Sequence, residues 1–203
     1  MAGIRALGSL DRRLFRHADA VIGVDEVGRG ALAGPVVVCA ARLTSVPRDA
    51  GIRDSKTLTP RQREEAIARL WDTGVRWVVC EIGVELIDRI NILEATRRAM
   101  RAAALSLATP ASVVVTDWVD PGDLGCPVLS PVRADGSYFS VAAASIIAKV
   151  HRDRIMVDLA RRDPRWGWDR NKGYGTADHC TALDRWGRSP HHRLSFAWKR
   201  VLP

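Results

Sequence analysis

Apolar residues fall in two kinds of pattern along this chain. Short β-branched runs, broken by glycine, proline and acidic residues, alternate with stretches where apolar positions recur every three to four residues. The first pattern predicts strands and the second helices. Strands are expected at 20–25, 36–41, 75–82 and 113–117, with a short strand or loop at 132–136. Helices are expected over 60–72, 84–90, 92–108, 139–162 and 176–186. Thr59, Pro60 and Gln62 form a capping-box start for the first of these, and Gly74 ends it. Asn91 caps the 92–108 helix, and Pro164 stops the long one. That long helix opens on Ala142, Ala143, Ala144 and Ser145, small enough to let it lie close on a sheet. Strands and helices mixed in this way predict one α/β domain over 20–203. Residues 1–19, with Arg5, Arg12, Arg13 and Arg16, read as a basic lead-in, ordered only in part.

The richest stretch is Val21 to Gly30. An apolar strand ends in Asp25 and Glu26, and Val27-Gly28-Arg29-Gly30 follows at once. Adjacent strand residues point to opposite faces, so two neighbouring acids serve one site only where the strand is ending. Side-by-side carboxylates repel unless they share a cation, and oxygen donors suit Mg²⁺ or Mn²⁺. Gly28 and Gly30 permit tight turns and close approach of a ligand, while Arg29 offers a fork for phosphate. The plainer reading of these residues is a polar turn after a strand. Another apolar strand ends in Asp117, and Asp135 follows it. In a mixed sheet such strand ends lie side by side, so four carboxylates can converge. Two divalent ions about 3.5–4 Å apart among such acids form a site that cleaves phosphodiesters. Asp120, Asp123 and Asp153 compete for the same roles, and the sequence does not rank them.

Charge bears this out as far as it goes. Lysine and arginine total 31 against 23 acids, a formal charge of +8. An anionic partner is expected, nucleic acid being the commonest. Cys39, Cys80, Cys126 and Cys180 stand far apart with no C-x-x-C pair, which argues against a disulfide framework or zinc site and for a reducing, cytoplasmic setting. No run reaches the roughly 18 apolar residues of a membrane span. Three further groups invite chemistry. Asp54-Ser55-Lys56 offers a hydroxyl and an ammonium to a phosphate, or is a helix lead-in. In Asn171-Lys172-Gly173-Tyr174-Gly175-Thr176, Lys172 can hold a phosphate and Tyr174 can stack on a base or sugar, or the stretch is a turn before a helix capped by Thr176. Trp166, Trp168, Trp186 and Trp198 suit packing better than base stacking. His191 and His192 lack a third ligand and suit a structural or phosphate-contacting role.

Taken together, Val24-Asp25-Glu26-Val27-Gly28-Arg29-Gly30, Gly34-Pro35, Asp54-Ser55-Lys56, Asn91-Ile92-Leu93, Ala142 to Lys149, Arg152-Asp153, Lys172-Gly173-Tyr174-Gly175-Thr176 and His192-Arg193 resemble the bacterial ribonuclease HII family, in order, from about residue 20 to 198. The resemblance implies a ribonuclease H-like fold: a mixed five-stranded sheet flanked by helices, with a small helical C-terminal lobe. It implies cleavage of the RNA strand of RNA–DNA hybrids and nicking of DNA 5′ of embedded ribonucleotides, leaving 3′-hydroxyl and 5′-phosphate ends. It implies that Asp25, Glu26, Asp117 and Asp135 bind Mn²⁺ or Mg²⁺. Gly28, Arg29 and Gly30 are implied to contact the 2′-hydroxyl, and Tyr174 to stack on the following deoxyribose. Ser55, Lys56 and Lys172 are further candidates for substrate contact, and the enzyme is expected to be a monomer. Two positions depart from the family pattern. Trp118 follows Asp117 where a glycine is usual, and Arg133-Ala134 precede Asp135 where Lys-Gly is usual. A non-catalytic nucleic-acid-binding protein and a nuclease of the same fold acting on DNA junctions are the rival readings.

Overall fold

The computed structural model describes residues 7–47, 52 and 58–199. Five strands form one sheet: β1 (Ala20–Val27), β2 (Val36–Leu43), β3 (Arg76–Ile82), β4 (Ser112–Thr116) and β5 (Val128–Leu129). Their order is β3-β2-β1-β4-β5. β1 pairs antiparallel with β2, and β2 with β3. β4 lies parallel to β1 on one side and to β5 on the other, so the sheet is mixed. The helices are α1 (Ser9–Leu14), α2 (Pro60–Asp72), α3 (Val84–Ile90), α4 (Ile92–Leu105), α5 (Phe139–Arg162), α6 (Trp168–Asn171) and α7 (Ala177–Trp186). The α2 start follows the sequence: the Thr59 hydroxyl accepts from Gln62 N–H while the Gln62 side chain accepts from Thr59 N–H.

Strand alternation splits the core into two layers. Ile22, Val24, Val38, Ala40 and Val114 face α4, against Ala99, Met100 and Ala103. Val37, Cys39 and Ala41 face the other way, against α2 and the alanine-rich start of α5. The crossing of α5 over β1 is tight. A Cβ placed on Gly23 would lie 2.0 Å from the Ser140 carbonyl carbon, so no side chain fits there. This contact fixes the helix to the strand that carries Asp25 and Glu26.

Two expectations change. Of the short strand or loop expected at 132–136 the strand alternative does not hold, and the fifth strand is Val128–Leu129, inside the proline- and glycine-rich excursion, paired with Val114 and Val115. Residues Ala134–Gly136 form a 3₁₀ turn instead, because Arg133 sits in the left-handed region at φ 59° and Pro131 has no N–H to donate. The lead-in also has an anchor. Asp11 on α1 is fully buried, and its carboxylate accepts from the N–H groups of Phe139 at 2.8 Å and Ser140 at 3.1 Å. It caps α5 from 128 residues away, where the local N-cap residue Tyr138 offers no side-chain bond. A carboxylate there satisfies orphan amides and complements the helix dipole, worth about 1–2 kcal/mol. The Asp54-Ser55-Lys56 loop lies outside the described residues, and with it the Ser55 and Lys56 candidates.

The C-terminal lobe packs α6 and the 164–166 turn on the far half of α5, and α7 on that turn. Trp166 and Trp168 stack at 5.2 Å in its core, as packing residues should. Trp186 departs from that role, being 48% exposed beneath the Arg185 guanidinium.

Candidate active site

The acids meet because β1 and β4 are parallel neighbours in register. Val24 pairs with Thr116, so Asp25 and Asp117 leave adjacent strands at one level. The Asp117 N–H still donates to Val24 O at 3.3 Å. Alternation puts both on the α5 face of the sheet, Asp25 opposite Cys39. Glu26, opposite Val38, starts on the α4 face and comes round the strand end into the same space. Asp135 arrives on the 3₁₀ turn, which is tied to Asp117 by a bond from Ala134 N–H to Asp117 Oδ1 at 3.1 Å. All four line a cavity of about 300 Å³ with Ser145, Lys149 and Arg63.

The cavity is electrostatically uneasy without a cation. Asp25 is 7% exposed, and burial pushes its carboxyl well above the usual range, with Glu26 and Asp117 pushing the same way against a bond from Ser145. Burial also raises Glu26, opposed by the Arg29 guanidinium, whose Nη1 donates to Glu26 Oε1 at 3.2 Å. The other oxygen, Glu26 Oε2, is buried without a hydrogen-bond partner among the described residues. A buried acceptor with no donor, among carboxylates that repel one another, fits a hard divalent cation. The set is convergent but not closed. No three His, Cys, Asp or Glu side chains among the described residues are placed to hold one ion as they stand. Glu26 Oε1 is turned to Arg29 and Asp117 Oδ1 to Ala134.

Beside the cavity, residues Gly28 to Gly34 form a turn held from beneath by two buried arginines. Arg193 donates from Nη2 to Gly28 O at 2.7 Å, from Nη1 to Arg29 O at 2.8 Å, and from Nε and Nη2 to Gly34 O at 3.2 and 3.0 Å. Arg152 donates to Pro35 O, Lys172 O and Ala33 O at 2.9, 2.8 and 3.0 Å. A trans peptide sets its N–H opposite its C=O. With the Gly28 and Arg29 carbonyls turned inward to Arg193, the Arg29 and Gly30 amides point outward. Gly28 lies at φ 89°, and a Cβ there would meet Arg152 Nε at 2.0 Å. Gly30 is different: among the described residues nothing lies within 4 Å of where its Cβ would be. No described residue fills the space before Gly30, which suits the approach of a ligand.

Tyr174 and Lys172 do not line the acid cavity. They are tied to its turn instead: Leu32 and Ala33 N–H donate to Gly173 O, and the Arg152 guanidinium lies 5.4 Å from the half-buried Tyr174 ring. The competing acids are accounted for. Asp120 and Asp123 accept from the N–H groups of Gly122 and Gly125 in their own turns, and Asp153 accepts from Lys149 Nζ at 2.7 Å. Sequence reading gave Ser145 only a packing role, and gave Arg152 and Arg193 none. Nothing local separates those two from the other arginines of so basic a chain.

The Tyr174 backbone is also the end of a histidine pair. Ser189 N–H donates to His192 Nδ1 at 2.9 Å, so His192 carries its proton on Nε2. That proton goes to His179 Nε2 at 3.0 Å, which also accepts from Trp168 Nε1, leaving His179 Nδ1 to donate to Tyr174 O at 3.0 Å. His192 is thus structural. Burial, then the neighbouring His179, lowers it from an ordinary 6.5 to about 4, and burial lowers His179 too. Their folded values lie below their unfolded ones, so the unfolded chain binds more protons as pH falls below about 6.5. For His192 alone, about 3 kcal/mol of stability present above pH 6.5 should be lost by pH 4. Urea unfolding at about pH 7 and about pH 5 checks it, with His192→Asn expected to flatten the difference.

A central carboxylate cavity on a mixed sheet, beside an amide turn, defines a ribonuclease H-like nuclease. Solved structures carry the same fold: the ribonuclease HII of Archaeoglobus fulgidus in its complex with PCNA matches 86% of this chain and 92% of that one, with TM-score 0.75 and 28% identity. The ribonuclease H2 of Pyrococcus horikoshii matches 87% and 93%, with TM-score 0.71 and 29% identity. The sequence is then specific. The family model for ribonuclease HII matches residues 22–199. The ribonuclease HII of Rhodospirillum rubrum is 50% identical over 182 residues, 87% of this chain and 84% of that protein. That of Chlamydia pneumoniae is 45% identical over 179 residues, 87% and 83%. The chain belongs to the ribonuclease HII family. It is a metal-dependent endoribonuclease, of the family that cleaves RNA in RNA–DNA hybrids and acts at embedded ribonucleotides.

Proposed function

We propose that this enzyme hydrolyses the phosphodiester 5′ of a ribonucleotide, leaving 3′-hydroxyl and 5′-phosphate ends, with Asp25, Glu26, Asp117 and Asp135 holding two divalent ions, Mg²⁺ or Mn²⁺. The observation that carries this is the convergence of the four acids on one cavity with Glu26 Oε2 left unpaired. What the acids gain from bound cations is a water of lowered pKa and counter-charge for the leaving oxygen. The protein's own part is placement. β1 and β4 aim Asp25 and Asp117, Ser145 bonds to the Asp25 carboxyl, and Arg29 neutralises part of Glu26.

Choice of substrate falls to the turn. The outward amides of Arg29 and Gly30, with the open space before Gly30, suit a sugar hydroxyl, and the 2′-hydroxyl is what separates RNA from DNA. Tyr174, tethered to the turn, is the stacking residue for the following deoxyribose, and Lys172 a phosphate contact. The net charge of +8 supports binding of the duplex backbone. We place the enzyme in the cytoplasm as a monomer. The free cysteines Cys39, Cys80, Cys126 and Cys180 suit a reducing compartment, and no described helix is long and apolar enough to cross a membrane.

A DNA duplex bearing one ribonucleotide tests the reading. With Mn²⁺ or Mg²⁺ it should be nicked on the 5′ side of that ribonucleotide, while all-DNA duplex stays intact. Intact ribonucleotide-bearing duplex in both metals, or equal cutting of all-DNA duplex, would overturn it.

A further inference from the structure

At the end of β4 the chain turns sharply. Val119 N–H donates to Asp117 O at 2.7 Å, and Trp118 between them lies at φ 63°. Such a three-residue turn in the left-handed region is strained for a bulky side chain and easy for glycine. Buried Thr116 holds it in place, its hydroxyl donating to Val119 O at 2.8 Å, and Trp118 N–H donates to Pro131 O at 3.2 Å. The turn sends Asp117 into the acid cavity and Trp118 outward, 53% exposed. A tryptophan thus occupies a position where backbone preference opposes it and burial gives it little. Strain retained beside an active site points to use. What the indole does touch is Arg29, whose guanidinium lies 4.8 Å from the ring centroid and also donates to Glu26 Oε1.

We infer that Trp118 is a further substrate-binding residue of this enzyme: its indole braces Arg29 of the amide turn and lays its open surface on the sugar of the nucleotide adjoining the scissile linkage. The inference rests on the reading of Gly28-Arg29-Gly30 as the ribose-sensing turn. A sugar is the fitting contact. Inside a duplex the base faces are already stacked, and the electron-rich face of an indole does not favour a phosphate. The C–H surface of a sugar edging the groove is open and apolar enough to pack against the ring. The Trp118 indole neither ligates a metal nor gives up or takes up a proton at neutral pH, so its contribution enters binding rather than the chemical step.

The test uses Trp118→Ala, Trp118→Phe and Trp118→Gly in the full chain. Fluorescence anisotropy with a labelled DNA duplex bearing one ribonucleotide, in EDTA, gives Kd. Nicking kinetics in Mn²⁺ give KM and kcat, and thermal melting gives Tm. Loss of an aromatic contact of this kind should raise Kd and KM about tenfold in Trp118→Ala, with kcat within about twofold. Trp118→Phe should keep most of the affinity. Trp118→Gly, which relieves the left-handed strain, should melt no lower than the parent yet bind as poorly as Trp118→Ala, separating the contact from folding. Unchanged Kd and KM in the alanine and glycine variants, or a loss confined to kcat, overturns the inference. Parent enzyme that nicks normally beside variants that match it removes only the role of Trp118. Parent enzyme that leaves the ribonucleotide-bearing duplex intact removes the underlying reading of the site.

Discussion

Asp25→Asn should lower nicking about a thousandfold or more while leaving duplex binding within a few fold, and the same protein should melt higher than the parent in EDTA. Both effects come from one buried carboxylate. Without a cation its charge is opposed by burial and by Glu26 and Asp117, all of which raise its pKa. The sign follows from proton linkage. An acid whose folded pKa lies above its unfolded value binds protons more tightly when folded, so stability falls as pH rises through that range. At neutral pH the folded chain bears the full strain of this charge, and an amide of the same shape removes it. A gain of about 1–2 kcal/mol is expected, or a rise of about 2–8 °C in Tm for a chain of this size. Divalent metal should then raise the Tm of the parent more than that of the variant, since a ligand stabilises only the form that binds it. Binding of duplex should persist, because phosphate contacts from arginine and lysine dominate the affinity of basic proteins for duplexes. Wild-type nicking rates in Asp25→Asn, or a lower Tm in EDTA, would contradict the role given to this residue.

How much of this was legible beforehand differs by residue, for physical reasons. The start of α2 could be read at Thr59-Pro60-Gln62 because a capping box is complete within four residues of sequence. Asp25, Glu26 and Asp117 could be read as a set because each ends an apolar run, and parallel neighbours in register bring such ends together. Asp135 could be read as a possible fourth acid, but only the family resemblance set it above Asp120, Asp123 and Asp153. Its turn depends on Arg133 adopting a left-handed conformation that nothing in Arg133 itself encodes. β5 was missed because two residues carry no periodicity, and it exists only by pairing with β4. Asp11 looked like part of a loose basic lead-in because the amides it caps belong to Phe139 and Ser140. The buried arginines were illegible for the same reason, since their partners are carbonyls far along the chain. The local pattern reveals which groups could do chemistry, and the long-range bonds reveal how they are aimed.

The strongest of those bonds lead to the second large effect. Arg193→Leu should destabilise the protein by about 3–5 kcal/mol, lowering Tm by roughly 6–20 °C. Arg193 is 1% exposed and no carboxylate among the described residues is bonded to it. Burial, with Arg152 nearby, lowers its pKa to about 10. A guanidinium is kept in such a place because it satisfies the carbonyls of Gly28, Arg29 and Gly34 at once. Leucine fills part of the volume and takes the guanidinium donors from the Arg29 and Gly34 oxygens, each worth about 1–3 kcal/mol, while Gly28 O keeps only the bond from Ala31 N–H at 3.2 Å. Arg193→Lys should recover only part of the loss, because an ammonium cannot reproduce the planar fork that reaches three carbonyls. Function should fail selectively at temperatures where the variant is still folded. With its carbonyls released, the turn no longer fixes the Arg29 and Gly30 amides outward. Discrimination between duplex with one ribonucleotide and all-DNA duplex should then shrink, even where the four acids remain in place. Urea unfolding and paired nicking assays on the two duplexes check this. An Arg193→Leu protein within about 1 kcal/mol of the parent, or one that still discriminates fully, would show that the amide turn holds its shape without this side chain.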